Sequence, residues 1–189
     1  MPRANLPRMG AILPSSLDKL EQHEVHADFN AKSLAAFVKA TRDSQGAELA
    51  NAQSIFRDLC AALKVKPPKL KGAGDHNYCF EADVLDGKKA RRMDVYLRGH
   101  FIFEAKQGAD PGAKGAPKGP KGVGTRGTDS WRSNMAAGRL QVGRYAAAAT
   151  RRGDPKPPII MLADLGYGIW IWSSWTKDAV DDYGDFEDG

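Results

Sequence analysis

Two short segments with alternating apolar and polar residues, 93–97 and 101–106, form the clearest pattern in the chain. A period of two is typical of half-buried β-strands, and the Arg98-Gly99-His100 stretch between them suits a hairpin turn. A three-residue loop centred on Gly99 sets an antiparallel register. In this register we expect Leu97 to pair with Phe101, Val95 with Phe103 and Asp94 with Glu104.

The two faces of the predicted hairpin differ in chemistry. The face that points away from the core brings together the carboxylates of Asp94 and Glu104 and the ammonium group of Lys106. This cluster is either a surface ion pair across two strands or the start of a metal site. The apolar face is expected to carry the odd-numbered residues Met93, Val95, Leu97, Phe101, Phe103 and Ala105.

Three helices are predicted from apolar residues at helical spacing. A short stripe over 34–38 and a stronger one over 49–63 precede the strands, and Pro67-Pro68 ends the second helix. After the hairpin, Thr128 suits the N-cap of a helix that runs to about Thr150. A glycine in its stripe would let this helix approach a sheet closely. The stripe consists of Trp131, Met135, Gly138, Val142, Tyr145 and Ala149.

Three further strands complete the predicted sheet. Residues 78–85 precede the hairpin, and Glu81 within them faces either the site or solvent. The apolar run at 159–163 is typical of a strand covered on both faces, and 169–172 follows it after a turn. The helix between the hairpin and this run makes a crossover. The pattern therefore predicts an α/β fold, with a mixed central sheet of about five strands flanked by helices.

Charge is unevenly distributed along this chain of 189 residues, whose net charge is +5. Between residues 106 and 152 there are ten Lys or Arg against two acidic residues, whereas 178–189 holds six acidic residues and no basic one. A polyanion would be attracted to the first region and repelled by the second. The plainer interpretation is a solvated basic face that aids solubility.

Composition divides the chain into an N-terminal arm over 1–30, a domain over 31–177 and an acidic tail over 178–189. Within the domain, the Gly-, Pro- and Lys-rich segment 107–127 is predicted to be a mobile basic loop. The loop is either a solvated insertion or a binding loop. As a binding loop it would contact DNA phosphates without reading sequence. The side chains expected to do so are Lys114, Lys118, Lys121 and Arg126.

The two cysteines, Cys60 and Cys79, are too few for a disulfide scaffold and lack metal-ligand spacing. We expect both to be buried thiols in a reducing compartment. The first thirty residues hold no signal-type apolar run, and no segment approaches the roughly 18 uninterrupted apolar residues of a membrane span. A soluble cytoplasmic protein without a membrane partner is the expectation.

The hairpin carboxylates suit a hard divalent cation. Mg²⁺ prefers oxygen ligands and keeps several waters, so Asp94 and Glu104 with substrate phosphate oxygens suffice to hold it. Lys106, two residues beyond the second carboxylate, is expected to activate or orient the water that attacks a phosphodiester. This group therefore predicts phosphodiester hydrolysis.

The same residues resemble a known family. Asp94, nine intervening residues and Glu104-Ala105-Lys106 are similar to the PD-(D/E)xK nuclease signature. More narrowly, 92–96 and 103–108 resemble the amino-terminal nuclease domain of MmeI-like restriction-modification polypeptides, which also carry an adenine methyltransferase and a target-recognition domain. The likeness extends over roughly residues 30 to 189. It implies a restriction-endonuclease-like three-layer fold with an αβββαβ core, in agreement with the predicted element order.

The resemblance adds three candidate residues outside the hairpin. Glu48 would be a third metal-binding carboxylate, although a favourable interaction with the helix N-terminus also explains it. Gln141 and Tyr145, four apart on one helix side, match the QxxxY motif of RecB-like nucleases. Gln141 would then assist catalysis by contacting a phosphate or a ligand water. Tyr145 would be either a core residue or a DNA contact.

Taken together, these features predict a Mg²⁺-dependent endodeoxyribonuclease, with Mn²⁺ as a substitute ion. The resemblance implies that it acts on DNA in prokaryotic restriction-modification or phage defence. A methyltransferase or specificity subunit or domain would supply recognition, since the chain holds no methyltransferase signature. The chain would then be a separate subunit, a truncated relative or an excised fragment. The alternative is a non-catalytic DNA-binding or regulatory module on a nuclease-like scaffold.

Overall fold

Three helices and six strands make up the part of the chain that the computed structural model describes, residues 31–43, 52–70, 77–112, 123–174 and 183–185. The helices are α1 (Ala31–Asp43), α2 (Ala52–Ala62) and α3 (Asp129–Arg151). The strands are β1 (Tyr78–Asp86), β2 (Lys89–Leu97), β3 (Phe101–Lys106), β4 (Ile159–Asp164), β5 (Gly168–Ser173) and β6 (Gly184–Asp185).

The strands form one mixed sheet in the order β1-β2-β3-β4-β5-β6. β3 and β4 are parallel, and the other neighbours are antiparallel. Because parallel neighbours need a crossover, α3 lies between them in the chain and packs on the sheet. The predicted α/β fold of restriction-endonuclease-like architecture is confirmed, with five longer strands and a two-residue sixth.

Two apolar clusters, one on each face of the sheet, give the three layers. Against α3, the buried side chains include Val142 from the helix and Ile102 and Ile160 from the sheet. Against α2, Phe56 lies with its ring centroid 4.8 Å from that of Phe103. Cys60 is buried on the same helix, as expected, and Cys79 is buried in β1. The sheet is thus covered on both sides where it carries the hairpin.

Helix α3 begins and packs as its sequence predicts. Thr128 is its N-cap, and its side-chain oxygen accepts a hydrogen bond from the Trp131 N–H at 3.2 Å. All six residues of the predicted stripe are buried. A Cβ atom at Gly138 would lie 3.1 Å from Leu162 Cδ2, so the glycine does permit the close approach to β4.

The hairpin of β2 and β3 has the predicted register at its turn but not at its open end. Leu97 pairs with Phe101 and Val95 with Phe103, which confirms the odd-loop argument. The expected Asp94–Glu104 pair is wrong. Over the described strands, the β2–β3 ladder stops at Val95–Phe103, and Asp94 Oδ2 instead accepts the Ala105 N–H at 2.7 Å.

One apolar face was predicted for the whole hairpin, and Met93 departs from it. Residues i and i+2 of a regular strand share a face, yet Val95 belongs to the cluster beside α2 and Met93 to the cluster beside α3. Phe80 and Ala82 on β1 are divided in the same way. Between them lies Glu81, whose φ of +54° is left-handed. The β1–β2 ribbon therefore changes face beside Asp94.

Both ends of the predicted loop belong to the fold. Ala109 and Val123 are buried, and their N–H groups donate to Gly124 and Gln107 carbonyls at 3.0 and 3.1 Å. The loop is therefore shorter than 107–127, and its centre at 113–122 lies outside the described residues. The predicted arm over 1–30 also lies outside them.

The predicted acidic tail is likewise shortened by packing. Tyr183 is buried, its hydroxyl donates to the Pro157 carbonyl, and Gly184–Asp185 pairs with β5. Residues 183–185 therefore belong to the domain, because an aromatic ring within the acidic run finds an apolar site. None of the helices in the described ranges is long and apolar enough to cross a bilayer.

Candidate active site

A cleft of about 410 Å³ opens where β2 and β3 separate. The ladder between these strands ends at Val95–Phe103, whereas β2 stays paired with β1 and β3 with β4. Polar side chains of both strands can therefore enter the gap. The cleft is lined by Ala52, Gln53, Phe80, Glu81, Asp94, Val95, Phe103, Glu104, Ala105 and Lys106.

Glu104 and Lys106 form the inner wall of this cleft. They are two residues apart on β3 and hence on one side of the strand. Lys106 Nζ donates to Glu104 Oε1 at 2.8 Å, with the glutamate side chain 6% and the lysine side chain 22% exposed. The ion pair is therefore largely shielded from water and from salt.

Helix α3 contributes two side chains to the same cluster. Gln141 Nε2 donates to Glu104 Oε1 at 2.7 Å, and Lys106 Nζ donates to Gln141 Oε1 at 3.3 Å. One turn further along the helix, the buried Tyr145 hydroxyl accepts from Gln141 Nε2 at 2.7 Å. The Gln141–Tyr145 pair thus fixes Glu104 and Lys106 from the side of the helix.

Burial makes the charged form of both carboxyl groups less favourable. Burial, together with the negative charge of Glu104, raises the pKa of Asp94 to about 7, against the Ala105 N–H and the Lys106 charge. Burial also raises the pKa of Glu104, although Lys106 and Gln141 act in the opposite direction. A positive charge added here would relieve both shifts.

The oxygen atoms that line the cleft can be compared with the ligands that a divalent cation prefers. Glu104 Oε2 is buried and has no hydrogen-bond partner among the described residues, which is rare for a carboxylate oxygen. Within the described ranges no group of three or more His, Cys, Asp or Glu is arranged to hold an ion. Mg²⁺ needs fewer protein ligands, because it keeps waters and takes substrate oxygens. Asp94 and Glu104 therefore fit such an ion.

Comparison with known protein families places this cluster in context. The family described as MmeI, N-terminal domain, matches residues 29–183, a range that includes the three described helices and the five longer strands. The chain belongs to this family. No curated protein and no solved structure matched the chain. Membership of the MmeI N-terminal domain family ties the fold to a nuclease-like module of restriction-modification enzymes.

The remaining candidate residues of this MmeI-type domain are distributed unevenly. Glu48, Lys114, Lys118 and Lys121 lie outside the described residues. Arg126 is described, and its guanidinium is already paired with Asp110 at 2.7 Å and Asp164 at 3.0 Å, with the side chain only 10% exposed. Tyr145 is 3% exposed. A DNA contact by Arg126 or Tyr145 would require that residue to leave internal partners.

An ion-pair network around Asp164 was not predicted from the sequence. Its carboxylate is inaccessible to solvent and accepts from Gly108 N–H at 2.7 Å, Trp131 Nε1 at 2.9 Å and the Arg126 guanidinium. A Cβ at Gly108 would lie 2.7 Å from Asp164 Oδ2. Since Asp164 pairs with Lys106 across β3 and β4, the network positions the end of β3. The signal in the sequence that could have indicated this network is an aspartate at the end of an otherwise apolar strand.

Proposed function

We propose that this chain is a Mg²⁺-dependent endodeoxyribonuclease of the PD-(D/E)xK type that hydrolyses DNA phosphodiester bonds. One observation carries the proposal. Glu104 lies in one cleft with Asp94 and Lys106, and its buried Oε2 has no hydrogen-bond partner in the part of the chain that the structure describes. Such a carboxylate pair is unfavourable by itself and is compensated by a cation. Membership of the MmeI N-terminal domain family supports the same chemistry.

In this proposal each side chain of the cluster has a separate role. Asp94 and Glu104 would hold Mg²⁺ or Mn²⁺, which when bound neutralises the carboxylates and the developing charge on the phosphate. Lys106 has three N–H donors, of which Glu104 and Gln141 take two. The third is available to a phosphate oxygen or to the attacking water. Gln141 acts through Glu104 and Lys106, as a positioning residue.

Replacement of Lys106 by alanine tests this assignment. We expect Lys106→Ala to lose plasmid cleavage in Mg²⁺ by at least about 100-fold, because removal of a proton-transfer or charge-stabilising group has this effect. Lys66→Ala, at an exposed lysine after α2, should cut like the wild type, and EDTA should abolish cutting by both. Circular dichroism checks that each variant is folded. Undiminished Mg²⁺-dependent cutting by Lys106→Ala would refute the assignment.

A non-catalytic DNA-binding or regulatory module is the second candidate, favoured by the 2.8 Å Glu104–Lys106 pair, which by itself stabilises a ribbon. Calorimetry separates the two, even if the lone domain requires another chain for cutting. The nuclease binds Mn²⁺ through Asp94 and loses it in Asp94→Asn, whereas the second candidate binds none.

We further propose that the chain acts on DNA in prokaryotic restriction or phage defence, with a methyltransferase or specificity component supplying recognition.

A further inference from the structure

Glu81 has an unusual backbone for its position. Its φ is +54°, a left-handed value that a side chain with a Cβ rarely adopts. Among the described non-glycine residues, Lys64 is the other such case, but Lys64 lies two residues after the end of α2, where left-handed residues are common. Glu81 instead lies inside a strand. Strain of this kind is found preferentially at functional sites.

The strand register does not require this strain. The pairs on either side of Glu81 are Phe80–Val95 and Ala82–Met93, and they belong to one continuous register. No extra residue is inserted, so Glu81 is not part of a bulge that corrects the ladder. The left-handed residue instead coincides with the point at which β1 and β2 change the face that they bury. This point lies next to Asp94 on the neighbouring strand.

The result of this backbone is that Glu81 lines the cleft with Asp94 and Glu104. Its side chain is 35% exposed, so it lies at the mouth of the cleft while Glu104 lies deep within it. Three carboxyl groups therefore face one space in which Lys106 is the basic residue among the lining side chains. The buried Oε2 of Glu104, which no described residue contacts by a hydrogen bond, independently indicates that a ligand belongs in this space.

We propose that Glu81 is a third carboxylate of the divalent-cation site, held beside Asp94 by its left-handed backbone. The inference rests on the proposed function, because it requires that the cleft binds the cation. No three acidic side chains of the described part are close enough to hold an ion directly. Glu81 therefore acts through an intervening water, as a positioning residue, which suits an ion that keeps several waters.

The chain offers a matched control for Glu81. Arg92 lies 3.8 Å from a carboxylate oxygen of Glu81 and equally 3.8 Å from one of Asp83. Asp83 lies two residues further along β1, carries the same charge and is 68% exposed, but it is not part of the cleft wall. Neutralising Asp83 therefore reproduces the loss of charge and of the Arg92 contact without touching the cation site.

Calorimetric titration of Mn²⁺ into the metal-free full chain tests the inference. We expect Glu81→Gln to weaken Mn²⁺ binding by about 10-fold, the effect typical of groups that act on an ion from its outer shell. Asp83→Asn should stay within about twofold of the wild type. Equal Mn²⁺ affinity of Glu81→Gln and wild type would overturn the inference, while wild-type cutting in Mg²⁺ would leave the proposed nuclease standing. A wild type that binds no Mn²⁺ would overturn both.

A glycine at position 81 provides a second readout, independent of ion binding. If the strain serves the site, Glu81→Gly should raise the thermal midpoint of the metal-free protein, by roughly 2–4 °C, because glycine adopts this φ freely. Its Mn²⁺ affinity should fall as in Glu81→Gln. A lower midpoint in the metal-free protein would show that the Glu81 side chain stabilises the fold itself, and would overturn the inference.

Discussion

Asp154 is the residue that joins the end of α3 to the hairpin of β2 and β3. Its carboxylate accepts from the Tyr96 hydroxyl at 2.9 Å, Arg98 Nε at 2.8 Å and Arg152 Nε at 2.6 Å, and the side chain is 11% exposed. Burial alone would raise the pKa of Asp154. The hydrogen bonds and charges of its partners outweigh burial and lower the pKa below the ordinary value of 3.8.

Asp154→Asn should therefore destabilise the protein in a pH-dependent way. The lowered pKa means that the stabilisation is complete above about pH 4 and is lost as pH falls through the folded-state value. We expect a loss of about 1–3 kcal/mol in the free energy of unfolding at pH 7, and a much smaller difference near pH 2. Urea titrations at both values measure it. Asp129→Asn, at a 99% exposed carboxylate, should change stability little at either pH.

At the scale of elements, the contact between α3 and β4 determines how closely the helix can carry Gln141 to Glu104. Gly138 and Gly143 lie on the same helix but in different surroundings. A Cβ at Gly138 would meet both methyl groups of Leu162 at 3.1 and 3.2 Å, whereas a Cβ at Gly143 would meet nothing within 4 Å. Leu162 is itself buried and has little room to move.

Alanine at these two glycines should have opposite effects. Gly143→Ala should raise the free energy of unfolding by about 0.5–1 kcal/mol, because alanine is the better helix former. Gly138→Ala gains the same propensity but overpacks Leu162, which typically costs about 1–3 kcal/mol. We therefore expect a net loss for Gly138→Ala in urea unfolding. Equal gains in both variants would show that α3 can move away from β4.

For the molecule as a whole, basic residues lie on both sides of the cleft in sequence. The exposed Lys88 and Lys89 are at the turn of β1 and β2 and precede Asp94, and the basic segment 113–122 follows β3 and Lys106. Phosphate contacts from either side would hold DNA across the gap between β2 and β3. Such contacts depend on charge and therefore on salt.

Neutralising these lysines should reduce the salt dependence of DNA binding, measured with Ca²⁺ in place of Mg²⁺. The logarithm of the DNA-binding constant falls linearly with the logarithm of the salt concentration, and each lost phosphate contact reduces the steepness of this fall by about 0.9. We expect a decrease of about 2–3 for Lys114→Gln, Lys118→Gln and Lys121→Gln combined, and of about 1–2 for Lys88→Gln with Lys89→Gln. The control pair is Lys39→Gln, exposed on α1, and Lys66→Gln, exposed in the segment after α2, and it should leave the slope unchanged. An unchanged slope in the first variant would show that the segment 113–122 connects its neighbours in the chain without binding DNA.

Sequence reasoning succeeded where the deciding neighbours are close in the chain. The hairpin turn, the stripe of α3 and the side shared by Glu104 and Lys106 follow from strand and helix periods alone. The order of elements then restricts the sheet to a few mixed topologies, because crossover connections have a preferred handedness. These features explain why the α/β fold and the approach of Asp94 to the Glu104-Ala105-Lys106 segment could be predicted.

The sequence by itself determined the elements, their order and the residue types offered to the cleft. Only the tertiary structure decided that the ribbon changes face at Glu81, that Asp164 accepts from Gly108 and Trp131, and that residues 183–185 join the sheet. The physical reason is the separation along the chain of the residues that interact. Periodicity reports on neighbours a few residues apart, whereas strand twisting and buried charge pairing depend on contacts between residues distant in the chain, which form only when the layers pack.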